Sequence, residues 1–313
     1  MLKKENIEKM YDALDQSALI LYEKLKFSYL DGLLETASNI LSNEIDYFSL
    51  EDLEQEKLEN LLKSVSDIEF DKEEIRKAFQ LALLKAFKHQ RITSSEMTPD
   101  TIGILVAYLA EKLFEDKRKI TIFDPLVGTG NLLLTVANNI KAEASIYGVD
   151  SNEVLIRVAS QMSLLMDYGN EMLCQDTLSV RIDPVDLIVS DLPFTGDIKY
   201  NMVSHHLDSL KDLGYMVLVV PNDYFATKEA EKMRQEIFDK ITVVGLIKLP
   251  DTIFNKLGKS ILVLKKNLKQ IKFIESAFIC DLPSFTDKAE MNKVINKIDY
   301  WFLENQKLGE KVK

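Results

Sequence analysis

Cysteine, proline and glycine are all scarce in this 313-residue chain, at 2, 7 and 11 copies. Two cysteines, Cys174 and Cys280, cannot build a disulfide framework or a cysteine-based zinc ribbon, and such sparing use fits a reducing cytoplasm. So little glycine and proline, beside 46% hydrophobic residues, excludes a fibrous repeat or a disordered chain. No apolar run comes near the roughly 20 residues that cross a bilayer, and the start mixes Lys with Glu, so neither membrane insertion nor secretion is expected. Basic residues are also in deficit, 39 against 50 acidic ones, for a net charge of −11. The molecule as a whole therefore repels a polyanion, and any nucleic-acid contact has to be local. Of three histidines, His205 and His206 stand together where a helix is read to start, without a Cys or His partner at ligand spacing, so no metal site is expected. A Gly-x-Ser-x-Gly elbow is absent, which removes the support for hydrolase chemistry.

What is present falls into two grammars. From Lys3 to about Lys88 apolar residues recur at three and four positions: Leu14, Ala18, Leu21, Tyr22 and Leu25, then Ile75, Phe79, Ala82, Leu83 and Phe87. This predicts an all-helical N-terminal domain over residues 1–92. The polar stretch Gln90 to Pro99 lacks period and reads as a linker. After it, over residues 93–313, short β-branched runs alternate with helical patterns: Ile120–Phe123, Ile146–Val149, Met172–Cys174, Leu187–Val189, Met216–Val220, Val243–Ile247 and Ile261–Leu264. Such alternation predicts a doubly wound α/β domain with a mostly parallel sheet. Ile261–Leu264 follows the preceding run without a clear helix, so this last strand is expected to pair antiparallel. Cys174, inside a strand pattern, is read as a small core residue. A final helix is read over Asp287 to Gln306.

The first strand runs into Asp124-Pro125-Leu126-Val127-Gly128-Thr129-Gly130-Asn131, a glycine turn placed where an open α/β sheet binds its ligands. Leu133 stands where a dinucleotide fingerprint needs its third glycine, and no Gly-Lys-Ser/Thr phosphate loop follows. An acid ends each of the first three strands: Asp124, then Asp150, 20 residues after Gly130, then Asp176. Asp124 suits a cationic amine, Asp150 vicinal ribose hydroxyls and Asp176 an exocyclic amine. S-adenosyl-L-methionine, with an amino-acid end, a ribose, an adenine and no phosphate, satisfies all three. The fourth strand ends in Asp191-Leu192-Pro193-Phe194, where a carboxylate oxygen and a carbonyl can accept from an amine whose ring lies on an aromatic face.

These segments resemble class I S-adenosylmethionine-dependent methyltransferases: Asp124 to Asn131 is similar to their motif I, and Asp191 to Phe194 to the Asn/Asp-Pro-Pro-Tyr/Phe motif IV of amino-group methyltransferases. Leu192 replaces the first proline, which makes the turn less rigid. Met97-Thr98-Pro99-Asp100, Val219-Val220-Pro221-Asn222 and Leu249-Pro250 with Lys259-Ser260 resemble segments of type I restriction-modification methylase subunits. The resemblance implies a Rossmann-like methyltransferase sheet behind the helical domain. It implies that Thr98, Asp124, Pro125, Gly128, Thr129, Gly130, Asn131, Asp150, Ser151, Asp176 and Thr177 hold S-adenosyl-L-methionine. Asp191, Leu192, Pro193 and Phe194 would orient the acceptor amine, adenine N6 of DNA.

No separate base-reading module is legible, so a partner subunit is expected to supply target recognition. The basic residues Lys256, Lys259, Lys265, Lys266, Lys269 and Lys272 are read as a solvated face in preference to a phosphate track. Two alternatives stay open: a cofactor-binding scaffold without catalysis, and a methyltransferase acting on RNA or protein glutamine. Catalysis requires an open slot beside residues 191 to 194.

Overall fold

The N-terminal period produces four helices, α1 (Lys4–Leu25), α2 (Tyr29–Ser42), α3 (Asp52–Ser66) and α4 (Lys72–Gln90). The computed structural model describes residues 2–45, 47, 49–90, 97–237, 239–254, 257–267 and 277–309, with side chains as far as 305. Leu14, Ala18 and Leu21 of α1 and Phe79, Ala82 and Leu83 of α4 are buried, as their spacing requires, whereas Tyr22 of the same stripe is exposed. Gly32 sets the approach of α2 to α1, since a Cβ there would stand 2.9 Å from the Ala18 carbonyl oxygen. Ser28 caps α2 by accepting the Asp31 N–H at 3.0 Å. Residues 91–96 of the linker lie outside the described residues.

The chain forms two compact units, one of residues 1–103, 127–138 and 150–174, the other of residues 104–126, 139–149 and 175–313. Within the first, α1 packs on α2, α3 and α4. It also holds α6 (Asn131–Asn139) and α7 (Glu153–Leu165). The second unit carries α8 (Ile198–His206), α9 (Lys228–Ile237) and α10 (Lys288–Gly309). Helix α5 (Asp100–Leu113) follows the linker.

The strands are β1 (Lys119–Asp124), β2 (Glu143–Asp150), β3 (Met172–Cys174), β4 (Val185–Asp191), β5 (Leu210–Pro221), β6 (Ile241–Lys248), β7 (Lys259–Lys266) and β8 (Phe278–Asp281). Their order in the sheet is β3-β2-β1-β4-β5-β7-β6-β8. β1 pairs parallel with β2 and β4, and β4 with β5. β7 runs antiparallel to β5 and to β6, as expected for Ile261–Leu264. The sequence reading missed β8, which pairs parallel with β6 and whose four residues, none of them buried, are too short to carry a pattern. Because β1, β4 and β5 run parallel, Asp124, Asp191 and Pro221 end on one edge of the sheet, the edge where open α/β folds bind ligands. Behind it lies a core that includes Phe123, Ile188, Leu192, Tyr200, Leu218 and Tyr224. Among the described residues, no helix is long and apolar enough to cross a membrane.

Candidate active site

The glycine turn owes its shape to backbone that only glycine adopts at ease: Gly128 and Gly130 have φ of 52° and 80°. A Cβ on residue 130 would also press within 3.2 Å of the Ala159 Cβ. The Gly128 N–H donates to Asp150 Oδ2 at 3.0 Å, and the Asn152 N–H to Asp150 Oδ1 at 2.9 Å. Both oxygens of the acid that ends β2 are thus oriented by main chain, while the next residue, Ser151, is exposed. Asn152 then caps α7 through the N–H groups of Val154 and Leu155.

Below the turn lies a network that sequence reading missed. Arg76 of α4 is fully buried, and its guanidinium donates to both oxygens of Glu73, to both of Asp100 and, at 2.6 Å, to Asn131 Oδ1. Asn131, the first residue of α6, passes its amide hydrogen to the Thr98 carbonyl at 2.7 Å. Burial opposes the guanidinium charge, but Glu73 and Asp100 outweigh it and hold the Arg76 pKa above its ordinary value. Burial likewise raises the Asp100 pKa, and the bonds and charge of Arg76 reverse this, leaving it below the usual carboxylate range. A fork of five donors explains why arginine stands here, and a lone arginine among the apolar residues of a helical stripe was the legible signal.

In the other unit Asp124 is buried, and its Oδ1 accepts from the Leu126 N–H at 3.0 Å and the Ser190 hydroxyl at 2.8 Å. Pro125 is buried too, and in the first unit so is Thr129 of the glycine turn. Asp176 is exposed and caps a single 3-10 turn (Thr177–Ser179) by accepting from the Leu178 N–H. Thr177 is buried with its hydroxyl 2.8 Å from His206 Nε2. His206 meets the Phe123 ring edge to face at 5.0 Å. Burial, helped by the neighbouring His205 and Arg181, pushes the His206 pKa down to about 4, so this imidazole stays neutral. Both histidines end α8 and do not start a helix. Cys174 is exposed, because β3 is only three residues long and buries just its first. No three His, Cys, Asp or Glu side chains among the described residues are placed to hold a metal ion.

The loop after β4 departs most from expectation. Leu192 is fully buried in the core, its N–H donates to the Val219 carbonyl at 2.8 Å, and Lys199 Nζ donates to the Phe194 carbonyl at 2.6 Å. Packing and two hydrogen bonds thereby hold the turn that lacks its first proline. Pro193 is half-buried, and Phe194 is exposed, with its ring edge to face with Phe254 at 6.4 Å. The expected open slot is filled. Lys259, only 7% exposed, donates from Nζ to Asp191 Oδ1 and, at 2.8 Å, to the Leu192 carbonyl. The same nitrogen lies 4.6 Å from the centre of the Phe194 ring. Reading Lys259 as part of a solvated face is corrected by this burial; Lys256, Lys269 and Lys272 of that cluster lie outside the described residues. Its position, two residues before the apolar run Ile261–Leu264 that pairs on both sides, was the signal for burial.

Residues 8–87 match the model of the YtxK N-terminal helical domain, and residues 83–202 and 195–310 match that of N-6 DNA methylase. The chain is 32% identical to the uncharacterized protein YtxK of Bacillus subtilis, covering 96% of this chain and 99% of that one. It is 34% identical to a Listeria monocytogenes protein of known crystal structure, provisionally described as a class I S-adenosylmethionine-dependent methyltransferase, with a TM-score of 0.82 over 96% of this chain and all of the other. A type I restriction-modification methyltransferase subunit from Streptococcus thermophilus shares the fold at 16% identity, with a TM-score of 0.61 over 93% of this chain and 74% of that one. A glycine turn after β1, acids ending β1 and β2, an acidic loop after β4, an antiparallel β7 and family models spanning most of the sequence agree, and the chain belongs to the N-6 DNA methylase family of class I S-adenosylmethionine-dependent methyltransferases.

Proposed function

We propose that this protein transfers a methyl group from S-adenosyl-L-methionine to an exocyclic amino group, with adenine N6 of DNA as the acceptor. One observation carries the acceptor chemistry: Asp191 Oδ1 and the Leu192 carbonyl accept from a single nitrogen that also lies against the Phe194 ring. Two acceptors beside an aromatic face are what an amine on a planar base needs. Holding two N–H groups favours a pyramidal nitrogen and frees its lone pair from the ring. Pro193 fixes the chain between the acceptor carbonyl and the platform. Asp191 or water takes the proton that leaves once the nitrogen is methylated.

The residues present fit the cofactor. Gly128 and Gly130 raise no side chain from the turn, and Asp150, with each oxygen aimed by one N–H, retains lone pairs for two ribose hydroxyls. We assign Asp124, Pro125, Gly128, Thr129, Gly130 and Asn131, with Thr98, to the methionine end, Asp150 and Ser151 to the ribose, and Asp176 and Thr177 to the adenine. When bound, the cofactor supplies an electrophilic methyl on a sulfonium. We keep residues 1–92 as a helical domain and 93–313 as the methyltransferase domain. With a net charge of −11, contacts along DNA are assigned to a partner subunit.

Calorimetry with S-adenosylmethionine, followed by transfer of a tritiated methyl group to DNA, RNA and protein fractions, tests the reading. Label should enter DNA and fall at least about a hundredfold in Asp191→Ala. Failure of the folded protein to bind the cofactor ends the proposal, and label in RNA or protein moves the acceptor. A cofactor-binding scaffold is the second reading, favoured by the ammonium already seated on the acceptors; tight cofactor binding without label in any fraction would establish it.

A further inference from the structure

Lys259 presents to the loop what the proposed substrate would present: a nitrogen with hydrogens for Asp191 Oδ1 and for the Leu192 carbonyl, beside the Phe194 ring. We propose that Lys259 is a built-in occupant of the acceptor-amine site, which keeps the site closed until its ammonium is drawn away. This deepens the methyltransferase reading and rests on it for the identity of the site.

Three features carry the inference. First, the backbone of Lys259 is pinned: it pairs with Pro221 of β5, and its carbonyl accepts from the Leu249 N–H at 3.0 Å. The position of the residue is therefore part of the sheet, and only the four-carbon stem can move the charge. Leaving the site needs rotation of the side chain and no unfolding. Second, the two acceptors that hold Lys259 are those an incoming amine would use, so exchange keeps both hydrogen bonds, and the ion pair with Asp191, which a neutral amine does not reproduce, is what a new anionic partner for the ammonium has to offset. An intramolecular ligand fixed this near its site acts at high effective concentration and excludes a weak free competitor. Third, the loop does not depend on Lys259 for its shape, because burial of Leu192, its N–H bond to Val219 and the Lys199 bond to the Phe194 carbonyl hold it independently. Removing the ammonium should leave the loop intact and take one donor from Asp191 Oδ1 and from the Leu192 carbonyl. A cation also suits removal by anions: a nucleic-acid phosphate arriving with the target base would offer the displaced ammonium a new partner.

The test uses the full chain and two small probes, 9-methyladenine and 9-methylpurine, which differ by the amino group. Wild type should not distinguish them. Lys259→Met, which keeps the length and apolar character of the stem, should prefer 9-methyladenine by about tenfold, the usual worth of one good hydrogen bond to a charged acceptor. Asp191→Ala placed in the same background should abolish that preference, which separates this site from an adenine pocket for the cofactor. A variant that folds with wild-type S-adenosylhomocysteine affinity and shows no preference overturns the proposal. In wild type, ¹⁵N NMR should show a slowly exchanging Lys259 ammonium that is lost in Asp191→Asn. A rapidly exchanging signal overturns the proposal even if Lys259→Met fails to fold. Absence of S-adenosylhomocysteine binding defeats the methyltransferase reading separately, since neither the probe preference nor the NMR signal requires the cofactor.

Discussion

The glycine turn and the loop at residues 191–194 both follow strands of one sheet, and both carry acids, but they are held by different means. Asn131 at the end of the turn is locked from beneath by Arg76, a buried guanidinium that spends its donors on Glu73, Asp100 and Asn131. Nothing in that network resembles a ligand, so it can stay in place whether or not the turn is occupied. The second loop is held by Leu192 in the core and by Lys199, while its outward acceptors are capped by Lys259, a group with the chemistry of a substrate amine. On the proposed reading, the groups that build the site are internal and permanent, and the group that occupies it is exchangeable. On the same reading, a turn that holds a cofactor gains from rigidity, whereas a loop that receives a nucleotide lifted out of a stack has to open and close.

Breaking the permanent network should have the largest effect. Arg76→Ala leaves Glu73 buried without its counter-charge and takes the donor from Asn131 Oδ1, so denaturant titration should show a loss of about 3–5 kcal/mol. A loss under about 1 kcal/mol would mean that the turn is held elsewhere and that the contrast is false.

Acid should next separate the Arg76 network from the buried His206. The folded His206 pKa, about 4, lies below its unfolded value of 6.5, so the neutral imidazole contributes stability in full above pH 6.5 and loses it progressively as pH falls towards 4. The shift amounts to roughly 3 kcal/mol at most. Asp100, whose folded pKa is lowered, contributes stability that is present above 3.8 and is lost only as pH falls through its folded value. Stability between pH 6.5 and 4 should therefore fall in wild type and stay flatter in His206→Gln, measured by thermal unfolding across pH. A decline that begins only below pH 4 would remove His206 from the account.

Gly130→Ala is expected to have the smallest effect on stability. Its positive φ and the 3.2 Å contact with Ala159 should cost about 1–2 kcal/mol, and the strain should weaken S-adenosylhomocysteine binding in calorimetry. Unchanged affinity would show that the cofactor does not read the shape of this turn.

Much of the fold was legible because it is written locally. Alternating β-branched runs and helical stripes gave the doubly wound sheet, and each strand-end acid stands beside its own turn signal. Leu192 illustrates the limit of such reading: as a missing proline it predicted a looser turn, yet its side chain is an anchor in the core. Cys174 was misplaced because a strand pattern does not reveal which end of a three-residue strand is buried. Arg76 and Asn131, 55 positions apart, meet only because a helix packs beneath the turn.

The order of elements, the glycine turn and the acids that end β1 and β2 follow from the amino-acid sequence alone, since each depends on neighbours a few residues away. Whether the acceptor loop is open does not. Lys259 lies 68 residues from Asp191, and only the antiparallel register of β5 with β7 brings the start of one strand to the loop that follows another. Hydrogen bonding across a sheet sets that register, and a long flexible side chain then spans the remaining distance. A lysine in a basic run thus became the residue that fills the site.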